Sequence, residues 1–369
     1  PLRAAGPRAM AADSDLRRLL REFRDLRRLG PLQRGGVVST TWLLVALKEY
    51  AKESAWKRLD DTQLAEAAPL FLGSDGILEL ARQQAPVSDN LVASCRVSAL
   101  EACALLVRLH AAGLKLLLRR RCPAILEVCL VVFREVGPNT VKTEALELLL
   151  RVVDACGDAP GLDVVRLGDE LLKDLKVKYK KLSNGQKALL YRVLASLAQR
   201  TESLGGEDAL PWISELKHRL IGEIQREVVS AKPVMDLLAG VFAAMDVFLQ
   251  RHHRLFDREE LKSLYVHVSP VALELDVAAK HGPQRSALKF LANHGVLLRE
   301  FYAADALRGF DDDVKMEEAV SLGPPGDGGF LGNLLRVAQA TTSAGHPQRD
   351  LAADGRRALE PPCGERGHT

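Results

Sequence analysis

Apolar residues recur every three or four positions through most of the chain between residues 37 and 310. This spacing places them on one face of an α-helix, and no segment shows the convincing alternation of apolar and polar residues that is typical of a strand. Gly, Pro, Asn and Ser interrupt the pattern where one helix is expected to end and another to begin. The pattern therefore predicts an all-α chain. Its clearest helices are predicted at 41–51, 90–111, 122–136, 140–155, 162–182, 186–199, 211–229, 233–251 and 283–302.

Four prolines help to place the beginnings of these helices. Pro123, Pro211, Pro233 and Pro283 each lie at or near the start of an apolar-periodic segment. Proline is tolerated best in the first turn of a helix, where its missing N–H would have no intrahelical partner. We therefore expect a helix to begin at each of these four residues.

The helices also repeat along the chain. A short Ala-Leu core recurs, and its anchoring leucines are separated by 46, 43, 48 and 51 residues. A period of about 47 residues with two helices in each unit is typical of HEAT and armadillo-like repeats. One helix pair does not bury both of its apolar faces, so stacked pairs share a continuous core. The sequence predicts an α-solenoid over residues 37–320. The anchoring leucines are Leu100, Leu146, Leu189, Leu237 and Leu288.

A basic residue precedes the Ala-Leu core in two of these repeats. Arg96 and Lys142 each lie four residues before the anchoring leucine. This position fits the second helix of a HEAT unit. Chance similarity among Leu-rich helices is the alternative explanation of the repeat.

The two ends of the chain differ from its body. Residues 1–36 are predicted to be a basic N-terminal region, in which residues 1–9 are a translated leader or a remnant of cloning and an arginine-rich helix follows. Residues 321–369 are rich in Gly, Pro, Arg and Ala, and we expect a disordered tail there. A mis-spliced gene model or a fragment of a longer protein would show the same change of composition.

Composition limits the classes of function that remain. The 369 residues are 47% hydrophobic and 5% aromatic, which excludes disorder throughout the chain and disfavours a β-sandwich. There are 51 basic and 48 acidic residues, a net charge of +3, so any contact with nucleic acid must depend on a local patch. No uninterrupted apolar run reaches the length of a membrane span, and no signal peptide is recognised.

The six cysteines match neither a disulfide framework nor a set of zinc ligands. Five of them lie inside apolar runs. We therefore expect small buried thiols in a reducing, intracellular compartment. The cysteines are Cys95, Cys103, Cys122, Cys129, Cys156 and Cys363.

No motif of a known catalytic centre is present in the sequence. A phosphate-binding loop, the kinase motifs, a Gly-x-Ser-x-Gly elbow and a His-Glu-x-x-His helix are all missing. The sequence predicts no enzyme activity, no cofactor and no metal for this chain. A helical enzyme that uses His252 or His294 is the weakest of three hypotheses.

Two clusters of basic residues are candidate contacts for phosphates or for a protein partner. Arg119, Arg120 and Arg121 are predicted to close a Leu-rich helix, where cations favour the negative end of the helix dipole. A second cluster surrounds Tyr179 before a Ser-Asn-Gly turn. Such residues contact phosphates without reading sequence, and solvated helix ends are the alternative. The second cluster consists of Lys173, Lys176, Lys178, Lys180 and Lys181.

Four segments resemble the N-terminal helical arm of DNA-dependent protein kinase catalytic subunits, in the phosphatidylinositol-3-kinase-related kinase family. They are 142–153 (KTEALELLLRVV), 168–181 (GDELLKDLKVKYKK), 188–197 and 286–301, and their order and approximate spacing also agree. The resemblance covers roughly residues 60–310. HEAT helices of many giant proteins share such patterns, so these motifs are not specific.

The resemblance implies a curved α-solenoid that helps to hold a broken DNA end and meets the Ku heterodimer in nuclear non-homologous end joining. The serine/threonine kinase domain of that family lies far downstream, so the resemblance assigns no catalytic residue to this chain. The first 35 residues and the segment after residue 320 depart from the family. A different HEAT or armadillo scaffold, such as a transport or assembly factor with a groove for a protein partner, is the second hypothesis.

Overall fold

The computed structural model describes residues 37–301, apart from residues 58, 75, 83–89, 157–161, 202–209, 274–280 and 300. This part of the chain contains twelve α-helices and no strands, which confirms the all-α prediction. The predicted N-terminal helix and the Gly/Pro-rich tail lie outside the described residues. The helices are α1 (Val37–Tyr50), α2 (Glu53–Trp56), α3 (Asp61–Leu72), α4 (Asn90–His110), α5 (Lys115–Arg134), α6 (Asn139–Cys156), α7 (Val164–Lys178), α8 (Asn184–Ala198), α9 (Pro211–Val229), α10 (Met235–His252), α11 (Arg258–Leu273) and α12 (His281–Asn293). Short 3-10 helices occupy Ile77–Arg82, Tyr179–Lys181 and His253–Leu255.

Alternate helices pack side by side in the order of the chain. Helix α4 packs on α6, α6 on α8, α8 on α10 and α10 on α12, and α1 packs beside α4. We call α4, α6, α8, α10 and α12 the even row. The helices between them pack against this row, with α5 on α6, α7 on α8, α9 on α10 and α11 on α12. The fold therefore has two layers of helices with one continuous apolar core.

The sequence period corresponds to this packing. The five anchoring leucines lie one on each helix of the even row. The first four are buried and the fifth is half-buried against the core. One step of about 47 residues therefore covers one helix of the even row and the intervening helix that connects it to the next helix of that row.

The structure corrects one predicted helix start. Pro123 lies inside α5, which begins eight residues earlier at Lys115, so the prediction that Pro123 opens a helix is wrong. A proline removes one backbone hydrogen bond, and the buried side chains of Leu118 and Ile125 on either side keep both halves of α5 on the core. Pro211 is the first residue of α9, as predicted. Pro233 precedes α10 by two residues.

Three helices lie outside the predicted set, namely α2, α3 and α11. Helix α3 begins with a capping box, in which Asp60 accepts a hydrogen bond from the Gln63 N–H at 2.8 Å and Gln63 accepts one from the Asp60 N–H at 3.2 Å. Trp56 in α2 packs on Tyr50 and Phe71, with ring centroids 5.4 and 5.0 Å away. This aromatic cluster forms the part of the apolar core that lies between α1, α2 and α3.

The five cysteines in the described part of the chain are buried free thiols. This confirms their prediction as small core residues, while Cys363 lies outside the described residues. Burial raises the pKa of the Cys103 and Cys129 thiols, which disfavours the reactive thiolate. The reducing compartment stays a prediction.

One described helix, α4, is long and apolar enough to cross a membrane by length and composition alone. Within the fold, 61% of its most apolar window is buried. It packs on α1 and α6 and on the 3-10 helix Ile77–Arg82. The core helix of a folded domain has the same properties, so the pattern of α4 is weak evidence of a membrane span.

Candidate nucleic-acid interface

The five predicted lysines lie together at the end of α7. Lys173, Lys176 and Lys178 are on its last turns, and Lys180 and Lys181 are in the 3-10 helix that follows. Asp163 caps the start of α7 by accepting a hydrogen bond from the Arg166 N–H at 2.9 Å, and the buried leucines of α7 fix which face turns to solvent. The exposed face carries most of the cations.

Three of the five lysines are held in ion pairs. Two of these pairs lie within α7 at the spacing of one helical turn, and the third reaches α9. A cation that is already paired offers less net charge to a phosphate. The pairs are Lys173–Asp169 (2.5 Å), Lys176–Glu215 and Lys178–Asp174 (3.2 Å).

Lys180 and Lys181 are exposed, and no carboxylate of the described residues lies within ion-pair distance of either. Lys187 on α8 adds a third cation, with Nζ 4.3 Å from the centroid of the Tyr179 ring. Lys142 on α6 lies near Lys178, and partial burial together with this like charge lowers the pKa of Lys142. The positive charge therefore extends beyond the predicted cluster.

Tyr179 lies at the centre of these cations. Its hydroxyl donates a hydrogen bond to Glu223 Oε1 at 2.6 Å and accepts one from Arg226 Nη2 at 2.7 Å. Burial and the bond to Glu223 raise the pKa of Tyr179 to about 12. The Arg226 guanidinium also lies 5.6 Å from the ring centroid, so cations occupy positions near the ring and near its hydroxyl.

Two buried carboxylates connect Tyr179 to the next turn of the chain. Glu223 accepts a second hydrogen bond from the Tyr191 hydroxyl at 2.9 Å. Arg226 donates to Glu223 and also to Glu227 Oε1 at 3.0 Å, and Glu227 Oε2 accepts the backbone N–H of Val234 at 3.0 Å. This network joins the turn after α7 to the turn after α9.

A second set of hydrogen bonds connects the same turn to the preceding one. Ser183 caps α8 by accepting the Gln186 N–H at 3.2 Å, and Gln186 accepts the Ser183 N–H at 3.1 Å. The buried Gln186 side chain also donates to the carbonyl oxygen of Asn139, the first residue of α6, at 3.0 Å. The turns at 135–138, 179–183 and 230–234 therefore lie side by side, and we call them the turn edge.

The predicted arginine cluster lies elsewhere. Arg119, Arg120 and Arg121 are in the second turn of α5, so the prediction that they close a helix is wrong because the helix continues through Pro123 to Arg134. Arg121 Nε instead donates to the carbonyl oxygen of Leu72, the last residue of α3, at 3.5 Å.

The two predicted clusters are separated along α5. Arg134 at the end of α5 pairs with Glu170 and Asp174 of α7, next to the lysines. Arg134 lies thirteen positions after Arg121, which is about 20 Å along the helix at 1.5 Å per residue. The structure does not bring the arginines and the lysines into one patch.

The two histidines of the enzyme hypothesis connect neighbouring helices of the even row. His252 Nε2 donates to the Ala198 carbonyl oxygen at 2.7 Å, and burial lowers the pKa of this histidine, which favours the neutral ring. His294 Nε2 lies 3.0 Å from Asp246 Oδ1 and 3.2 Å from the Asp246 carbonyl oxygen. Arg200 makes a similar bond to the Asp154 carbonyl oxygen at 2.9 Å. These contacts join the ends of successive helices.

Asp246 is a buried acceptor for several side chains. Asn293 donates to its two carboxylate oxygens at 2.9 and 3.1 Å, and Lys289 Nζ lies 3.5 Å from Oδ2. Burial acts against the charged form of Asp246, but the hydrogen bonds from His294 and Asn293 outweigh it and lower the pKa of the carboxyl. The arrangement holds α12 on α10. Within the described ranges, no three His, Cys, Asp or Glu residues are arranged to hold a metal ion.

A half-buried glutamate on α6 makes the fold sensitive to pH. Burial raises the pKa of Glu144 to about 7, and the charges of Glu101 and Glu147 act in the same direction. The folded chain therefore holds this proton more tightly than the unfolded chain. The stability contributed by the neutral form is complete below the ordinary pKa of 4.5 and is lost as the pH rises through 7.

We expect Glu144→Gln to remove this pH dependence. Between pH 4.5 and 7.5, the wild-type free energy of unfolding should fall by about 1–2 kcal/mol more than that of the variant, a value reduced for the solvent exposure of the side chain. Urea unfolding at a series of pH values measures the difference. Glu259→Gln on an exposed part of α11 is the control. Parallel curves for wild type and Glu144→Gln would contradict the prediction.

Comparisons with protein-family models, with curated proteins and with solved structures find no match to this chain.

Proposed function

We propose that this chain is a non-catalytic α-solenoid scaffold that corresponds to the N-terminal portion of a DNA-dependent protein kinase catalytic subunit-like protein. In this proposal it contacts DNA ends and the Ku heterodimer in the nucleus, during double-strand break repair by non-homologous end joining. The four sequence segments described above support the link to the phosphatidylinositol-3-kinase-related kinase family.

The order of helix packing supports the solenoid. Each helix of the even row contacts the helix before and the helix after it in that row, and the intervening helices pack on the same row. Repeat proteins in which each unit contacts only its neighbours have this connectivity. The leucine period and the contacts between helix ends recur with the same step.

One observation carries the proposed contact with DNA. Lys180 and Lys181 are exposed beside Lys187 and Tyr179, with no carboxylate partner among the described residues. Exposed lysines without a partner neutralise phosphates and release counterions from the duplex, without reading base sequence. A scaffold that holds a DNA end of any sequence requires this type of contact.

A scaffold for a protein partner is the second candidate function. The ion pairs of Lys173, Lys176 and Lys178 reduce the charge available to phosphates. Several valines are also exposed on the helices that pack against the even row, and exposed apolar side chains are common at protein interfaces. These valines are Val131, Val165, Val177, Val229 and Val266.

Fluorescence anisotropy of a labelled blunt-ended duplex with the full chain tests the proposal. We expect binding that weakens steeply between about 50 and about 200 mM salt, strengthens when Ku is present and is reduced when both ends are closed by hairpins. Lys180→Glu with Lys181→Glu should weaken binding about tenfold or more, because two favourable phosphate contacts become repulsive.

The matched control is Lys52→Glu with Lys262→Glu, two exposed lysines on other parts of the described surface. It changes the net charge by the same amount, so equal losses in the two double variants would indicate a general charge effect. Failure of the folded full chain to bind duplex at low salt with Ku present would move the assignment to the protein-binding scaffold.

A further inference from the structure

Three lysines outside the predicted cluster lie on the turn edge or in the first turn of the helix that follows one of its turns. Lys142 is in the first turn of α6, Lys187 is in the first turn of α8, and Lys232 lies in the turn before α10. Lys232 is exposed and the other two are half-buried. None of the three forms an ion pair with a carboxylate of the described residues. The charge of Glu135 does act on Lys142, but the Glu135 carboxylate is paired with Arg96. Each of the three turns therefore has at least one lysine, either in the turn itself or in the first turn of the helix that follows it. The turn at 135–138 contains no cation of its own.

The turn edge is held in a fixed register by side-chain hydrogen bonds. Gln186 connects the second turn to Asn139 at the end of the first. Tyr179 and the buried pair of glutamates connect the second turn to Val234 at the end of the third. Buried and fully bonded polar groups hold their neighbours in one arrangement. The spacing between the cations of successive turns is therefore set by the fold rather than by flexible loops.

The spacing suits a long and stiff polyanion. Packed helices lie 8–10 Å apart, and the three turns precede three neighbouring helices of the even row, α6, α8 and α10. Their cations are therefore spread over about 20 Å. A duplex presents a continuous row of phosphates over this distance and hardly bends, since its persistence length is about 500 Å. Because the backbone of the three turns is already held in place, only the lysine side chains have to become ordered when such a ligand binds.

We propose that the turn edge binds the phosphate backbone of a double-stranded nucleic acid across three successive turns, through Lys142, Lys187 and Lys232 in addition to Lys180 and Lys181. This inference rests on the function proposed above and extends its contact from one turn to three. It names the surface along which the duplex lies.

The aromatic content of the edge favours a duplex over a single strand. Single-stranded nucleic acids bind through exposed aromatic rings on which bases stack. Among the described residues of the three turns, Tyr179 is the only aromatic side chain. Its ring is already in contact with Lys187 and lies near Arg226, and its hydroxyl is bonded to Glu223. The edge therefore offers charge without a platform for bases.

Charge reversal on the two outer turns tests the inference. We expect Lys142→Glu with Lys232→Glu in the full chain to weaken binding of a labelled duplex of about 30 base pairs by about tenfold or more at low salt. The slope of log Kd against log salt concentration should fall by about 2, because two phosphate contacts are lost. The control is again Lys52→Glu with Lys262→Glu. Lys142→Gln with Lys232→Gln should give a smaller change of the same sign, and circular dichroism checks that every variant is folded.

The outcomes separate the two proposals. If Lys180→Glu with Lys181→Glu weakens binding but the outer-turn variant behaves like the control, the contact is confined to one turn and this inference is wrong, while the proposed function stands. If the wild-type chain does not bind duplex at low salt even with Ku, the proposed function and this inference both fail. Tighter binding of a labelled single strand, or of polyglutamate, than of duplex would overturn the assignment of the edge to a double-stranded ligand.

Discussion

Replacing Gly240 with leucine is expected to lower the free energy of unfolding by about 3 kcal/mol, since it forces apart two closely packed helices. A Cβ atom at Gly240 on α10 would lie 2.4 Å from Ala188 Cβ and 3.0 Å from Ala188 Cα on α8. The obstacle is partly backbone, so a change of side-chain rotamer does not relieve it. Glycine in a helix interior costs about 1 kcal/mol, and the close approach explains its use here. Urea unfolding followed by circular dichroism measures the loss.

The same variant tests the solenoid, because it predicts where the damage spreads. In a stack whose units contact only their neighbours, loss of the α8–α10 contact should open the adjacent helices first. We expect hydrogen exchange measured by mass spectrometry to rise in α8, α10 and α12, while α4 and α6 keep most of their protection. A uniform loss of protection through all described helices would indicate a single cooperative core and would contradict the solenoid.

Gly222 provides a matched control. It lies in α9, and nothing lies within 4 Å of a Cβ atom built at this position. Gly222→Leu should therefore gain about 0.5 kcal/mol from better helix propensity. A large loss of stability in this control as well would show that leucine at a helical glycine is damaging for reasons other than the α8–α10 contact.

The sequence was most informative where burial recurs along the chain. Leu100, Leu146 and Leu237 are almost completely buried on successive helices of the even row, and their spacing reports one helix pair per step. Short or interrupted helices gave a weaker signal. Helix α2 has only four residues, so the apolar pattern did not predict it. Helix α5 contains Pro123, so the pattern predicted a new helix there instead of one continuous helix.

Interactions between residues far apart in the chain explain most of the difference between the predicted and the observed site. The Lys178–Asp174 pair is four residues apart, so its neutralisation of one predicted cation can be read from helical spacing. The Lys176–Glu215 pair joins residues 39 apart on different helices. Nothing in the local pattern around Lys176 indicates that partner, because the register of α7 on α9 decides it.

The turn edge was not visible in the sequence for the same reason. Lys142 and Lys232 are 90 positions apart and belong to no run of basic residues. The packing of α6 on α8 and of α8 on α10 places these two lysines on either side of the turn that contains Tyr179. A search for cations near the start of alternate helices, rather than for local runs of charge, would identify such residues.

Replacing Arg96 with methionine is expected to lower the free energy of unfolding by about 3–5 kcal/mol, a loss typical of a broken buried ion pair. Arg96 on α4 is 4% exposed, and its Nε donates to the Ala81 carbonyl oxygen at 2.9 Å. Its Nη2 pairs with the Glu135 carboxylate, whose side chain is 11% exposed. Methionine fills a similar volume but leaves a desolvated carboxylate and a backbone acceptor without their partner. Chemical unfolding gives the change directly.

Two further variants separate the ion pair from general damage to α4. Arg96→Met with Glu135→Met removes both charges, so most of the lost stability should return, because the uncompensated carboxylate is gone. Arg166→Met breaks the exposed i,i+4 pair with Glu170 and should cost only about 0.5 kcal/mol. If the double variant were as unstable as Arg96→Met alone, the loss would come from packing and from the Ala81 acceptor. The Glu135 carboxylate would then have little part in joining the end of α5 to α4.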